Sequence, residues 1–228
     1  MNHNFSIRTL ASTVGAYLLM SAMHVNATQT LAYFDASSSA KEYHQNYIQD
    51  FEKYVATAKT GDTFILSRIT IESHNFAPFG TYTLEAPAKG ISSKRKKELE
   101  TEARDEIITA VPIALKQPTE VDATNIIGAL TSANDYFKQK NVPVSDRVIL
   151  LFTDGMEQSK LNKINMEKSI PKTVPAHLVL PADLKARVYM IGVNAPNKTG
   201  AQEAMRNFWQ QVISKTGSSL EMFLQRYP

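Results

Sequence analysis

The chain contains no cysteine, so neither a disulfide nor a thioether-linked lipid anchor is open to it, and an exported form would rest on its core alone. It has no G-x-S-x-G elbow, no G-x-x-x-x-G-K-[ST] loop and no H-E-x-x-H helix, so three common routes to hydrolysis or nucleotide binding lack their signatures. Charge of one sign is scarce too. A net charge of +3 from 25 basic and 22 acidic residues is too mild to imply a nucleic-acid surface. No apolar run reaches the roughly 20 residues that a membrane helix needs. What remains is a chain of 228 residues, 43% of them hydrophobic, enough for one domain of ordinary size with a substantial core.

The N-terminus reads as a targeting segment. Met1 to Arg8 are mildly basic, Thr9 to Met23 are apolar and small except for Ser, Thr and Tyr, and Val25 and Ala27 are small residues at the positions a signal peptidase reads. Residues 1–27 are therefore expected to be a signal peptide cleaved after Ala27, with 28–228 forming a single domain in the periplasm or outside the cell. An uncleaved anchor is the alternative.

The rest of the chain is organised around Leu31-Ala32-Tyr33-Phe34-Asp35-Ala36-Ser37-Ser38-Ser39, an apolar strand running straight into an acid and alternating hydroxyls. In open α/β sheets the ligand crevice lies beyond the carboxyl ends of the strands, where strand order reverses. Oxygen-only donors placed there suit magnesium or manganese better than zinc. Taken alone, the same residues also serve as helix caps and turns.

Downstream, apolar spacing predicts a helix over Lys41 to Lys59, stopped by Gly61-Asp62. β-Branched and aromatic residues predict a strand over Thr63 to Ile71, with a short companion strand over Gly80 to Glu85. Strand, helix, strand in this order implies a parallel pair with a right-handed crossover. Lys94-Arg95-Lys96-Lys97 opens a helix with Leu99, Ala103, Ile107 and Ile108 on its apolar side, which Pro112 should end or kink; the basic run is read as a solvated face. A further helix begins near Val121 to Leu130 and continues to about Lys140, with Asp122 or Thr124 as its possible cap. Arg147 to Thr153 is a continuous apolar strand, as expected where helices cover both faces of a sheet, and it too runs into an acid, Asp154-Gly155.

An apolar strand with D-x-S-x-S, a Thr opening a later helix, and a second apolar strand ending in T-D-G together resemble the von Willebrand factor A domain and its metal-ion-dependent adhesion site. The resemblance covers essentially the whole chain after Ala27 and implies a Rossmann-like, doubly wound, mostly parallel α/β sheet flanked by helices. It also implies that Asp35, Ser37, Ser39, Thr124 and Asp154 are metal ligands. One departure is Ala123, where many members have Gly before the Thr.

Met156 to Ala186, with Pro171, Pro175 and Pro181, is expected to be an irregular excursion with a short helix or two, and long connections of this kind are often binding loops. Glu157 and Ser159 within it are either rim residues of the site or ordinary loop residues. Arg187 to Val193 is expected as a strand. Gln202 to Lys215 is expected as a helix burying Ala204, Phe208, Trp209, Val212 and Ile213, with Trp209 read as core. Leu220 to Tyr227 would be an edge strand in place of the family's closing C-terminal helix.

Three hydroxyls binding directly, with two carboxylates acting directly or through water, leave at least one coordination position of a divalent ion open, so an Asp or Glu from a protein partner is the natural completion. That is recognition, not reaction. Two alternatives remain: a structural subunit of an envelope assembly with a purely structural ion, and a magnesium-dependent phosphohydrolase using Asp35 as phosphoryl acceptor. The second acid that such enzymes usually carry two residues on is Ser37 here.

Overall fold

Strand β1, Gln29–Asp35, is the centre of the sheet because it is apolar on both faces. Leu31, Ala32, Tyr33 and Phe34 are all buried, which only a strand covered on both sides can achieve. The computed structural model describes residues 27–118, 123–195 and 199–228; the expected signal segment up to Asn26 lies outside them.

After β1 a 3-10 turn, Lys41–Tyr43, leads into α1, His44–Ala56. There follow β2 (Thr63–Ile69), β3 (Gly80–Thr83), α2 (Ser93–Leu115), α3 (Ile126–Gln139) and β4 (Arg147–Phe152). The chain continues through the small ribbon β5 (Gln158–Ser159) and β6 (Ile164–Asn165), then β7 (Arg187–Ile191), α4 (Ala201–Lys215) and β8 (Ser219–Leu224). The main sheet has the order β3-β2-β1-β4-β7-β8. Neighbours are parallel throughout except β2 and β3. This is the doubly wound α/β arrangement, and strand order reverses between β1 and β4.

Period-two alternation divides the core. Leu31, Tyr33, Ile149, Leu151, Val188 and Met190 face α3 and α4, against Leu130, Phe137, Phe208 and Trp209. Ala32, Phe34, Phe64, Leu150 and Phe152 face the other side, against Tyr47, Phe51 and Val55 of α1 and Ile107 and Val111 of α2. Each Leu, Ile, Val, Met or Phe side chain among them contributes roughly 1.5–3 kcal/mol by leaving water. Phe34 and Phe152 stack at 4.9 Å across the β1–β4 seam, and Phe51 packs edge-on to both. The ends of the two strands that carry Asp35 and Asp154 are therefore fixed to each other and to α1.

Several expectations need correction. α2 does not end at Pro112 but runs to Leu115; a proline so near the end removes the bond to the carbonyl four residues back with little helix left to lose. The cap of α3 is Asn125, whose side chain accepts from Gly128 N; Thr124 lies one residue before it, and Asp122 lies outside the described residues. Ala204 is exposed, and Ala201 and Met205 are buried in its place, so the buried stripe of α4 is rotated from the one expected. The excursion over 156–186 holds the β5–β6 ribbon and turns, and no helix. β2 and β7 end two residues early, at Ile69 and Ile191, and β8 ends at Leu224. Among the described residues no helix is long and apolar enough to cross a membrane.

Candidate metal centre

Asp35 is the last residue of β1 and fully buried. Its Oδ1 accepts from the Ser37 amide at 3.0 Å, and its Oδ2 accepts from the Thr153 hydroxyl at 2.7 Å. The first bond is a turn closed by the side chain on the backbone two residues on, which swings Ser37 and Ser39 over the strand end. Ser37 and Ser39 hydroxyls lie 3.2 Å apart, and the Ser39 hydroxyl donates to Asp154 Oδ2 at 3.1 Å. Ser37 is buried and Ser39 exposed, so the donors step from the interior to the surface.

Asp154 reaches the same place from β4. Its Oδ1 accepts from Met156 N at 2.9 Å and its carbonyl accepts from Asn194 N at 3.0 Å. Between them Gly155 has φ of +86°, and a Cβ there would meet Met205 Sδ at 2.7 Å, so the turn after Asp154 is open only to glycine. The buried indole of Trp209 donates to the Gly155 carbonyl at 2.9 Å. Trp209 is thus core, as expected, and also a fastening for the Asp154 loop.

Thr124 is buried on the third loop, before α3, and its carbonyl accepts from Gln158 N at 2.9 Å, which ties it to the segment after Asp154. The structure therefore links Asp35, Ser37, Ser39 and Asp154 through side-chain hydrogen bonds with Thr153. Thr124 sits on a loop fastened beside them, with no hydrogen bond from its hydroxyl to the other four among the described residues.

Electrostatics make the site short of positive charge. Burial pushes the Asp35 carboxyl up, against the bonds from Thr153 and Ser37 that pull it down. Burial, and then the charge of Asp35, raise Asp154 to about 7. The Tyr47 hydroxyl, buried beneath, feels both carboxylates and has no hydrogen-bond partner among the described residues. Two buried acids and an unsatisfied hydroxyl are what a bound cation with its waters would relieve. Among the described residues no group of three or more His, Cys, Asp or Glu comes together to hold a metal. The donors here are carboxylate and hydroxyl oxygens, the chemistry of a hard ion.

Two supporting residues, Thr153 and His44, escaped the sequence reading, and the role of a third, Glu157, was left open by it. Thr153 was visible only as the first letter of T-D-G. His44 Nε2 lies 2.9 Å from the Asp35 carbonyl, so that nitrogen carries the proton and donates, pinning the start of α1 to the end of β1; the imidazole pKa is lowered by burial. Glu157, read as rim or loop, is fully buried. Its Oε2 accepts from Ile126 N and Ile127 N at 2.7 and 3.2 Å and its Oε1 from Asn162 at 2.9 Å. A carboxylate at a helix N-terminus satisfies orphan amides and opposes the helix dipole. Here it joins the Asp154 loop to the Thr124 loop. Ser159 is buried, its hydroxyl accepting from Asn162 N at 3.3 Å, a bond within its own loop.

No model of a known family matches the chain, and no curated protein matches it. Solved structures do. The chain is similar to von Willebrand factor type A from Catenulispora acidiphila, at 14% identity and TM-score 0.43, over 86% of this chain and 38% of that one. It is similar to the manganese-loaded TRAP protein of Plasmodium vivax, at 14% identity and TM-score 0.45, over 88% and 69%. A third is the pilus adhesin SpaC from Lactobacillus rhamnosus GG in an open conformation, at 10% identity and TM-score 0.48, over 87% and 28%. The chain thus spans from 28% to 69% of the length of these structures.

Proposed function

We propose that this chain is a divalent-cation-dependent protein-binding domain. The observation that carries the reading is the pair Asp35 and Asp154, two buried carboxylates from different strands, set among serine hydroxyls where strand order reverses. In this reading Ser37, Ser39 and Thr124 hold the ion directly, and Asp35 and Asp154 hold it directly or through water. Magnesium or manganese is the expected ion, since the site offers neither imidazole nor thiolate. When bound, the ion supplies a Lewis-acidic position short of one ligand, which an Asp or Glu of a protein partner fills. The chain's own residues do the rest. Thr153 and the Ser37 amide orient Asp35, Trp209 and Met156 N hold the Asp154 loop, and Glu157 ties the Thr124 loop to it.

Titrating magnesium or manganese into chelator-treated protein should give about one ion per chain, with zinc weaker. Undiminished magnesium binding by Asp35→Ala would contradict it. The reading includes export, with 1–27 removed and 28–228 as the mature domain in the periplasm or outside the cell. Mass spectrometry of the mature protein should find Thr28 at or near its N-terminus, and a soluble cytosolic form beginning at Met1 would overturn that part.

A further inference from the structure

Beside the candidate metal centre lies a groove of about 740 Å³ that the site itself does not use. It starts at Ala36, Ser37 and Ser38 and runs between the first turns of α1 and the end of α2. Ile48, Pro112 and Leu115 line it and are only partly buried, an apolar strip left incompletely covered, and Pro118 adds to it beyond the helix. The run of α2 through Pro112 is what brings Leu115 and Lys116 to this bank. Two exposed lysines also line the groove, Lys41 on the α1 side and Lys116 on the α2 side, and neither forms an ion pair among the described residues. Among the described residues no Asp or Glu lines it.

We propose that this groove seats the stretch of the partner that adjoins its metal-binding acid: an extended acidic peptide segment carrying an apolar side chain and a second carboxylate. The proposal rests on the metal-dependent reading above. Ser37 belongs both to the candidate ligand set and to the groove wall, so an acid on the ion leads its own chain into the groove. The volume is of the size that holds several side chains, far more than one carboxylate fills. An extended chain advances about 3.3–3.6 Å per residue, so residues within two or three positions of the metal-binding acid reach the groove. The strip of Ile48, Pro112 and Leu115 then takes the apolar side chain, and Lys41 and Lys116 take the second carboxylate. A groove with cationic banks selects for such a segment and against a basic one.

The test uses two capped peptides, Gly-Glu-Leu-Gly-Glu and Gly-Glu-Gly-Gly-Gly, titrated in magnesium into the protein and into a Lys41→Glu, Lys116→Glu double variant, with magnesium binding measured separately for both proteins. Both lysines are exposed, so the double variant should fold. The expected result is that the first peptide binds the wild type at least about tenfold more tightly than the second. That advantage should disappear in the double variant while magnesium binding is unchanged. If the wild type binds magnesium but shows no preference between the peptides, the groove proposal fails and the metal reading stands. An advantage that survives the charge reversal places the extra contacts elsewhere and overturns the proposal. If the wild type binds no magnesium, the metal reading fails and the groove proposal falls with it. Butyrate matching the affinity of the first peptide would also overturn it, since a small carboxylate would then be the occupant.

Discussion

The Ser39 hydroxyl donates to Asp154 Oδ2 at 3.1 Å, a bond between residues 115 apart in sequence. It closes the seam between the two central strands at their carboxyl ends, and everything inferred about function depends on that closure. Ser39 is exposed and Asp154 buried, so the bond marks the mouth of the site.

The metal-free protein should lose stability as pH rises from about 4 to about 7. Burial raises Asp154 and Glu157 each to about 7, well above ordinary carboxyls. Between the unfolded and folded pKa values the native state therefore holds protons that the unfolded chain has released, and stability falls with pH through that window. Magnesium binding has the opposite slope, because the ion displaces the proton, so affinity should climb over the same range. Melting curves at several pH values, with chelator and with magnesium, read both. A metal-free protein that gains stability from this window's acid end to its neutral end would contradict the assignment.

Glu157→Ala should destabilise the fold by on the order of 2–4 kcal/mol, because it strands two helix-terminal amides away from water. Glu157→Gln keeps one accepting oxygen and should lose much less. Denaturant unfolding of the two variants separates them; equal losses would show that the cap geometry is not what the residue supplies.

Leu151→Ala should behave in the reverse way to a ligand mutation. Leu151 is fully buried on β4 three residues before Asp154, and its truncation should cost about 2–5 kcal/mol through lost burial and the cavity left behind. The molecules that remain folded should still bind magnesium with wild-type stoichiometry in calorimetry.

Much of this was legible in the sequence because it rests on local pattern. β1 and β4 are apolar on both faces and each leads into an acid, which is enough to expect a parallel sheet with Asp35, Ser37, Ser39 and Asp154 gathered at its carboxyl edge; their reading as metal ligands came from the resemblance, not from the pattern. The supports were not legible because their partners are remote. Thr153 meets Asp35 across 118 residues and Glu157 meets Ile126 across 31, and no periodicity reports such a pair. His44 was nearer, nine residues from Asp35, but a histidine in the first turn of a helix has no spacing that announces a bond back to a strand end. Asn125 won the cap over Thr124 because its side chain also donates to the Ile71 carbonyl at 3.1 Å, anchoring it to the turn after β2. The β5–β6 ribbon has two-residue strands, too short for alternation to show.

The most direct measurement is the thermal melt of Asp154→Ala with and without magnesium. The charge of Asp35 and burial raise the cost of ionising Asp154 when no ion is present, so removing Asp154 should leave the metal-free protein as stable as the wild type or more so. A ligand that binds only the native state raises its melting temperature, so the wild type should gain on adding magnesium and the variant should not. If Asp154→Ala shows the same magnesium-induced rise as the wild type, Asp154 is not a ligand and the site described here is not a metal centre.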